Sequence, residues 1–206
     1  MQSRRRVFQI GFSRCGTTSL YRLFRESGVP SIHWDRGQIA INFAKRKEAG
    51  EDPFLDYPVI RFFSDMGNPM TGRLIEPYKD FRYIYRFYPD AYFILNIRTV
   101  QSWLLSRCNH ARLIEWHQQA LGISTLEELL LHWSLDWSRH VKDVNAFFAA
   151  KPGQLLVFNI ERDDPKNIAD FVYPEFALDA RHYARSNEGR SEGKRFVSLP
   201  NYLVRR

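Results

Sequence analysis

The most informative part of the sequence is Gly11-Phe12-Ser13-Arg14-Cys15-Gly16-Thr17-Thr18-Ser19-Leu20. The apolar residues 7–10 before it predict a short β-strand, and apolar side chains at positions 20, 23 and 24 give the residues after it the spacing of an amphipathic helix. A glycine-containing loop between a strand and a helix is the usual setting of a phosphate-binding loop, because backbone N–H groups and the positive end of the helix dipole face the anion. The segment therefore predicts an anion site.

The loop departs from the pattern G-x-x-x-x-G-K-[ST] that binds nucleoside triphosphates. Thr17 follows Gly16, so the lysine that would reach a β- or γ-phosphate is absent, and the basic residue Arg14 lies inside the loop. Thr17, Thr18 and Ser19 add hydroxyl donors. This arrangement favours a single 5′-phosphate and the group attached to it, while a plain glycine turn is the structural alternative.

The rest of the chain alternates short apolar runs with helical periodicity. Strands are predicted at residues 31–34, 59–63, 91–97 and 155–160, and helices at residues 17–26, 40–47 and 78–88 and from residue 100. Ser124 and Glu127 form a predicted capping box for a long helix with its apolar stripe at positions 126, 130, 133, 137, 141 and 144. This order predicts an α/β fold in one domain: a parallel β-sheet like that of the P-loop NTPases, flanked by helices on both faces.

Composition limits the functional classes. The chain has 206 residues, 44% hydrophobic and 15% aromatic, enough for one domain with a full core, and its net charge of +7 suits an anionic partner or simple solubility. No apolar run is long enough to predict a transmembrane segment, and residues 7–12 are too short and too interrupted for a signal peptide. Cys15 and Cys108 are too few for a disulfide framework, so we expect a reducing compartment and a cytoplasmic location. No nucleic-acid-binding motif is recognisable, so no nucleic-acid partner is expected.

The loop and a second segment together resemble the sulfotransferases that use 3′-phosphoadenosine 5′-phosphosulfate (PAPS). Their first signature is a basic residue followed by G-T-T after the first strand, which residues 14–18 match with Arg14 where many members have lysine. Their second is an arginine at the end of a buried strand and a serine eight residues later, matched by Arg98 and Ser106. Residues 63–66 and 155–165 are similar to a mostly microbial branch of the family.

The resemblance implies where the donor and the chemistry lie. The first signature implies 5′-phosphosulfate binding, and the second implies 3′-phosphate binding. The implied cofactor-binding residues are Ser13, Arg14, Cys15, Gly16, Thr17, Thr18, Ser19, Arg98 and Ser106. Arg14 would stabilise the charge that develops on the leaving phosphate.

The acceptor hydroxyl needs a general base. Asp65 is the first choice, because it follows a predicted strand at the edge of the sheet where ligands bind. His33 is the second choice, and Asp56 and His110 are further candidates. The structural alternatives are a turn-capping aspartate and a packed histidine. Cys15 lies near a helix N-terminus, a position that can lower a thiol pKa, but we interpret it as a small loop residue.

The implied reaction moves a sulfuryl group from PAPS to a hydroxyl or amine of a small-molecule, glycan or lipid acceptor, giving adenosine 3′,5′-bisphosphate (PAP), without a metal. Residues 1–180 would form the sulfotransferase-like domain. The basic segment 181–206, with Arg190, Lys194 and Arg195, would close over the cofactor or remain a solvated tail. A small P-loop kinase and a non-catalytic adenosine-bisphosphate-binding protein remain alternatives, and the acceptor and oligomeric state are open.

Overall fold

A parallel β-sheet organises the protein, whose computed structural model describes residues 5–69, 72–110 and 112–184. The strands are β1 Val7–Gln9, β2 Ser31–His33, β3 Phe62–Ser64, β4 Tyr92–Ile97 and β5 Leu155–Asn159. They lie in the order β2-β3-β1-β4-β5, and all neighbouring strands pair parallel. The predicted fold class is therefore confirmed.

Helices connect the strands and cover both faces of the sheet. They are α1 Thr17–Glu26, α2 Gln38–Glu48, α3 Phe81–Phe87, α4 Val100–Cys108, α5 Leu113–Leu121, α6 Leu126–Phe148 and α7 Lys166–Val172. Short 3₁₀ turns occupy Asp35–Gly37, Pro77–Asp80 and Ala180–His182. Within the described ranges, no helix is long and apolar enough to cross a membrane.

Side-chain alternation along the strands divides the core into two layers. Phe8, Phe63 and Phe93 face the layer that holds the buried side chains of α2, α3, α4 and α6. Val7 and Phe62 face the opposite layer, where the apolar side chains of α1 and α7 pack. The central strands β1, β3 and β4 are buried on both faces, which explains why they consist mostly of apolar residues.

Two local predictions are corrected. The capping box of α6 is formed by Thr125 and Glu128 and not by Ser124 and Glu127: the Thr125 hydroxyl accepts from the Glu128 N–H, and the Glu128 carboxylate accepts from the Thr125 N–H. Both residue pairs satisfy the pattern, and the helix begins one residue later than expected. The third strand begins at Phe62, since Val59 is 67% exposed and precedes the sheet.

The parallel arrangement brings the carboxyl ends of all strands to one edge. The segments that follow β1, β3 and β4 begin there with the loop at residues 10–16, Asp65 and Arg98. Because β1 lies between β3 and β4, the predicted phosphate loop has the Asp65 segment on one side and the Arg98 segment on the other.

Candidate active site

The loop between β1 and α1 has the backbone geometry of an anion-binding turn. Arg14 (φ 69°) and Gly16 (φ 74°) both lie in the left-handed region. A Cβ at Gly16 would lie 3.2 Å from Ile160 Cγ2 and 3.3 Å from the Tyr183 hydroxyl, so a side chain there would be crowded as well as strained. No side chain caps the first turn of α1. The N-cap residue Gly16 has no side chain that could accept from the first N–H groups of this helix.

Two buried amides on the strands hold this loop in place. Asn96 Oδ1 accepts hydrogen bonds from the Gly11 N–H (3.1 Å) and Gln9 Nε2 (2.5 Å), and Asn96 Nδ2 donates to the Cys15 carbonyl (2.5 Å). Gln9 Oε1 accepts from the Asp65 N–H at 2.9 Å. A single buried network therefore fixes the loop after β1 relative to the residue after β3.

Three predicted side chains meet beside the loop. Arg14 Nε donates to Ser106 Oγ at 3.2 Å, and Arg98 Nη1 donates to the Arg14 carbonyl at 3.4 Å. Arg98 also pairs with Glu161, whose Oε1 lies 3.1 Å from Nη2 and 3.2 Å from Nε. The other Glu161 oxygen accepts from the Thr99 N–H at 3.0 Å. The two predicted anion-binding segments are therefore in direct contact.

A cavity of about 530 Å³ lies over this cluster. Its wall contains seven predicted site residues, which are Ser13, Arg14, Gly16, Thr17, Thr18, Ser19 and Asp65, together with Arg98 and Ser106 from the second segment. The rest of the wall combines aromatic and apolar side chains with polar ones. The first group includes Trp34, Tyr78, Leu113, Trp116 and Ile160, and the second comprises Asn68, Glu76, Arg107, His110, His117 and Glu161. Such a lining, with a few converging polar groups, is typical of a small-molecule site.

Comparison with known families shows which family the chain belongs to. A family model described as a sulfotransferase domain matches residues 6–156, which is well over half of the chain. The chain belongs to the sulfotransferase domain family. No curated protein matches it.

In this sulfotransferase domain, Asp65 lies in the wall of the cavity. It follows β3 in a left-handed conformation (φ 52°), and a quarter of its side chain is exposed in the cavity wall. Burial raises the pKa of Asp65 to about 6, although Arg14 and Arg107 oppose this increase. A carboxylate with this pKa is largely ionised at neutral pH and is still a usable base.

His33 lies behind Asp65 and outside the described cavity wall. Its Nδ1 is 2.9 Å from Ser64 Oγ, its Nε2 is 3.9 Å from Asp65 Oδ2, and its ring stacks on Tyr21. Burial lowers the pKa of His33 to about 4, so the ring is neutral at pH 7. The geometry gives His33 a supporting position next to the carboxylate.

The two remaining candidate bases, Asp56 and His110, lie in different parts of the structure. Asp56 pairs with Arg46 at the surface, and His110 lies in the cavity wall. Within the described residues, no group of His, Cys, Asp and Glu side chains is close enough to bind a metal. Arg190, Lys194 and Arg195 lie outside the described residues.

Cys15 is a buried loop residue and not an activated thiol, in agreement with its interpretation from the sequence. The Cys15 side chain is fully buried in the core, and burial raises its pKa above the ordinary value. The helix dipole is outweighed because the thiolate would lose its hydration. The thiol does not line the cavity, so the residue faces the loop through its backbone.

Several site residues escaped the sequence analysis. The polar Gln9 and Asn96 within apolar strands were the available signal for the loop-holding network. Glu161 lies in a segment that resembles the family, but nothing in the sequence predicts its pairing with Arg98. Arg107 and His117 carry no motif, and only the packing of α4, α5 and α6 brings them to the cavity.

Proposed function

We propose that this sulfotransferase domain moves a sulfuryl group from PAPS to a hydroxyl or amine of a small-molecule, glycan or lipid acceptor. The observation that carries the proposal is the contact between the two predicted anion-binding segments in one cavity. Arg14 Nε lies 3.2 Å from Ser106 Oγ, and Arg98 Nη1 lies 3.4 Å from the Arg14 carbonyl. One molecule with phosphates at two positions of a single ribose can reach both segments.

The residues present fit an adenosine bisphosphate group. The start of α1 has no side-chain cap, and the crowding around Gly16 means that a Cβ would fill the space next to the loop backbone. Ser13, Thr17, Thr18 and Ser19 add polar groups around the turn, and the Cys15 and Gly16 backbone completes it. These residues would hold the 5′-phosphate, while Arg98 and Ser106 would hold the 3′-phosphate.

When bound, PAPS supplies the sulfuryl group, whose sulfur gains a bond to the acceptor oxygen and loses its bond to the 5′-phosphate oxygen as PAP leaves. Arg14 is the residue that would stabilise the charge left on that phosphate. Burial lowers the pKa of Arg14, yet a guanidinium remains charged at neutral pH. Its left-handed backbone conformation aims the side chain across the loop towards Ser106 instead of away from the cavity.

Asp65 would take the proton from the acceptor hydroxyl. It borders the same cavity as Arg14, and its backbone N–H is fixed by Gln9 of the neighbouring strand. His33 is its neighbour, a neutral ring whose Nε2 lies 3.9 Å from the carboxylate, and it would act only by packing beside the base. The Gln9–Asn96 network thus holds the backbone of Asp65 and the backbone on both sides of Arg14 before a ligand arrives.

A transfer assay tests the proposal. The protein is incubated with radiolabelled PAPS, EDTA and separate pools of phenols, sugars, sterols and lipids, and the label is followed into acceptors and PAP by chromatography. We expect labelled product that is lost in Arg14→Ala and retained in Arg22→Ala, an exposed position on α1. PAP binding without transfer in any pool would support the non-catalytic alternative. Binding of ATP that depends on Mg²⁺, with no binding of PAP, would support the kinase alternative.

A further inference from the structure

Arg107 is a buried cation in the cavity wall with no described anionic partner. It lies on α4, one residue after Ser106, and is only 2% exposed. Its guanidinium carbon lies 4.8 Å from the centre of the Trp103 ring and 4.2 Å from that of Trp133. Among the described residues no carboxylate oxygen lies within 4.0 Å of Arg107, although several other arginines form such pairs.

Arg107 has one described hydrogen bond, and the two carboxylates that stabilise its charge from a distance, Glu76 and Asp136, are themselves bound by Lys79. Nη2 donates to His117 Nε2 at 2.6 Å, while His117 Nδ1 donates to the Leu113 carbonyl at 2.9 Å, which fixes the neutral tautomer. Burial and the nearby Arg107 lower the pKa of His117 to about 3, so this ring stays neutral. Arg107 Nε has no described partner at all. A buried charge without a directly bound anion is costly, and a ligand anion that joined Arg107 would lower this cost.

The surroundings of Arg107 have the character of a site for a ring-bearing molecule. Leu113, Trp116 and Tyr78 give this wall of the cavity apolar and aromatic surface. His110 belongs to the same wall, and its Nδ1 is a second buried polar atom without a described partner. Glu76 lies in the same wall, but Tyr78 and Lys79 already donate to its carboxylate. The unpartnered polar atoms of Arg107 and His110 therefore indicate where a ligand would place its own polar atoms.

We infer that this wall is the acceptor subsite and that Arg107 binds the carboxylate of a ring-bearing hydroxy acid. The inference rests on the proposed function, and it adds the chemical class of the acceptor. Indole rings lie against the guanidinium of Arg107, which favours an approach along its edge, the geometry in which arginine binds a planar carboxylate. In transfer, the acceptor hydroxyl oxygen bonds to sulfur and its proton passes to Asp65, while the carboxylate stays intact on Arg107.

The probes are 4-hydroxyphenylacetate and its methyl ester, which share a ring and a hydroxyl and differ in the charge. Binding of each to the PAP-loaded protein is measured by calorimetry in EDTA, and sulfation of each is measured with PAPS. We expect the wild type to bind the acid at least tenfold more tightly than the ester. Arg107→Met, which keeps apolar bulk between the indoles, should bring this ratio to about one, and Arg107→Lys should leave it in between. Arg139→Met, at an exposed position of α6, is the matched control and should keep the wild-type ratio.

Thermal unfolding without acceptor tests whether Arg107 has a purely structural role, because a structural arginine would stabilise the protein and a ligand-binding one would not. Because the cation has no described anionic partner, Arg107→Met should be at least as stable as the wild type without acceptor. A destabilised Arg107→Met whose acid-to-ester ratio is unchanged would overturn the inference. If Arg107→Met does not fold, the ratio of acid to ester affinity of the wild type tests the inference by itself.

The outcomes separate the two proposals. If the wild type binds PAP but binds the acid no more tightly than the ester, the acceptor inference is wrong and the proposed function stands. If Arg107→Met slows sulfation of acid and ester equally, Arg107 serves the sulfuryl group of the donor and the acceptor inference is again overturned. If the wild type binds no PAP, both proposals fail.

Discussion

Replacing Asp65 by asparagine separates the chemical role of this carboxylate from its effect on stability. Burial raises its pKa from 3.8 to about 6, so the folded protein binds the proton more tightly than the unfolded chain does. Stability is therefore lost as the pH rises between these two values and Asp65 ionises. Each tenfold difference in proton affinity is worth about 1.4 kcal/mol, which makes the full cost ~3 kcal/mol above about pH 7.

Asparagine removes the charge and tolerates the left-handed backbone at this position (φ 52°). We therefore expect Asp65→Asn to be ~3 kcal/mol more stable than the wild type at pH 8, about half of that at pH 5, and equal to it below pH 4. Turnover should fall at least ~10²-fold, the usual contribution of a general base, with PAP affinity unchanged. In the wild type, kcat/KM should fall to about one tenth of its plateau at pH 5, because the base must be deprotonated.

Urea unfolding at pH 4, 5 and 8 and PAPS turnover across the same range measure these effects. Asp35→Asn is the control, since Asp35 is also left-handed (φ 46°) but exposed and outside the cavity wall, and it should change neither quantity. Equal stability of Asp65→Asn and wild type at pH 8 would show that the carboxylate is not desolvated. Near-normal turnover would show that another group accepts the proton, and His33 would be tested next.

Arg98→Ala should lower the affinity for PAP at least tenfold and the affinity for adenosine 5′-monophosphate less than threefold, because only PAP has the 3′-phosphate. Calorimetry measures both affinities, and equal losses would show that Arg98 does not bind the 3′-phosphate. Asn96→Leu should lower the free energy of unfolding by ~3 kcal/mol, because it leaves the Gly11 N–H and the Gln9 amide without their partner. A decrease below ~1 kcal/mol in urea unfolding would show that this network does not stabilise the fold. Gly16→Ala should cost about 1–2 kcal/mol of stability through its left-handed backbone and should also weaken PAP, whereas wild-type PAP affinity would show that the loop backbone does not face the ligand.

Short-range patterns in the sequence were sufficient to predict the sheet, its helices and the phosphate loop. The continuous apolar run of β4 predicts a strand covered on both faces, and the stripe on α6 predicts a helix packed along its length; Trp133, Trp137 and Val144 are indeed buried. The phosphate loop was recognisable because its residues and its flanking elements are contiguous. These features depend on neighbours within one or two turns or strands.

The missing parts of the site depend on distant packing. Arg98 and Glu161 are 63 residues apart, and the cation of Arg107 is covered by Trp133 from another helix. Arginine on a helix usually predicts an exposed side chain, so its burial between indoles has no local signal. Burial also outweighs the effect of the helix terminus on the pKa of Cys15, and the depth of a side chain is not encoded in its distance from a helix end.

The most direct test is a crystal structure of the protein, from crystals grown with PAP in the presence of EDTA. We expect the 5′-phosphate in the turn formed by residues 13–19, the 3′-phosphate between Arg98 and Ser106, and Asp65 facing the space beyond the 5′-phosphate. Well-ordered PAP bound elsewhere, or a cavity that stays empty at saturating PAP, would contradict the assignment of both anion-binding segments.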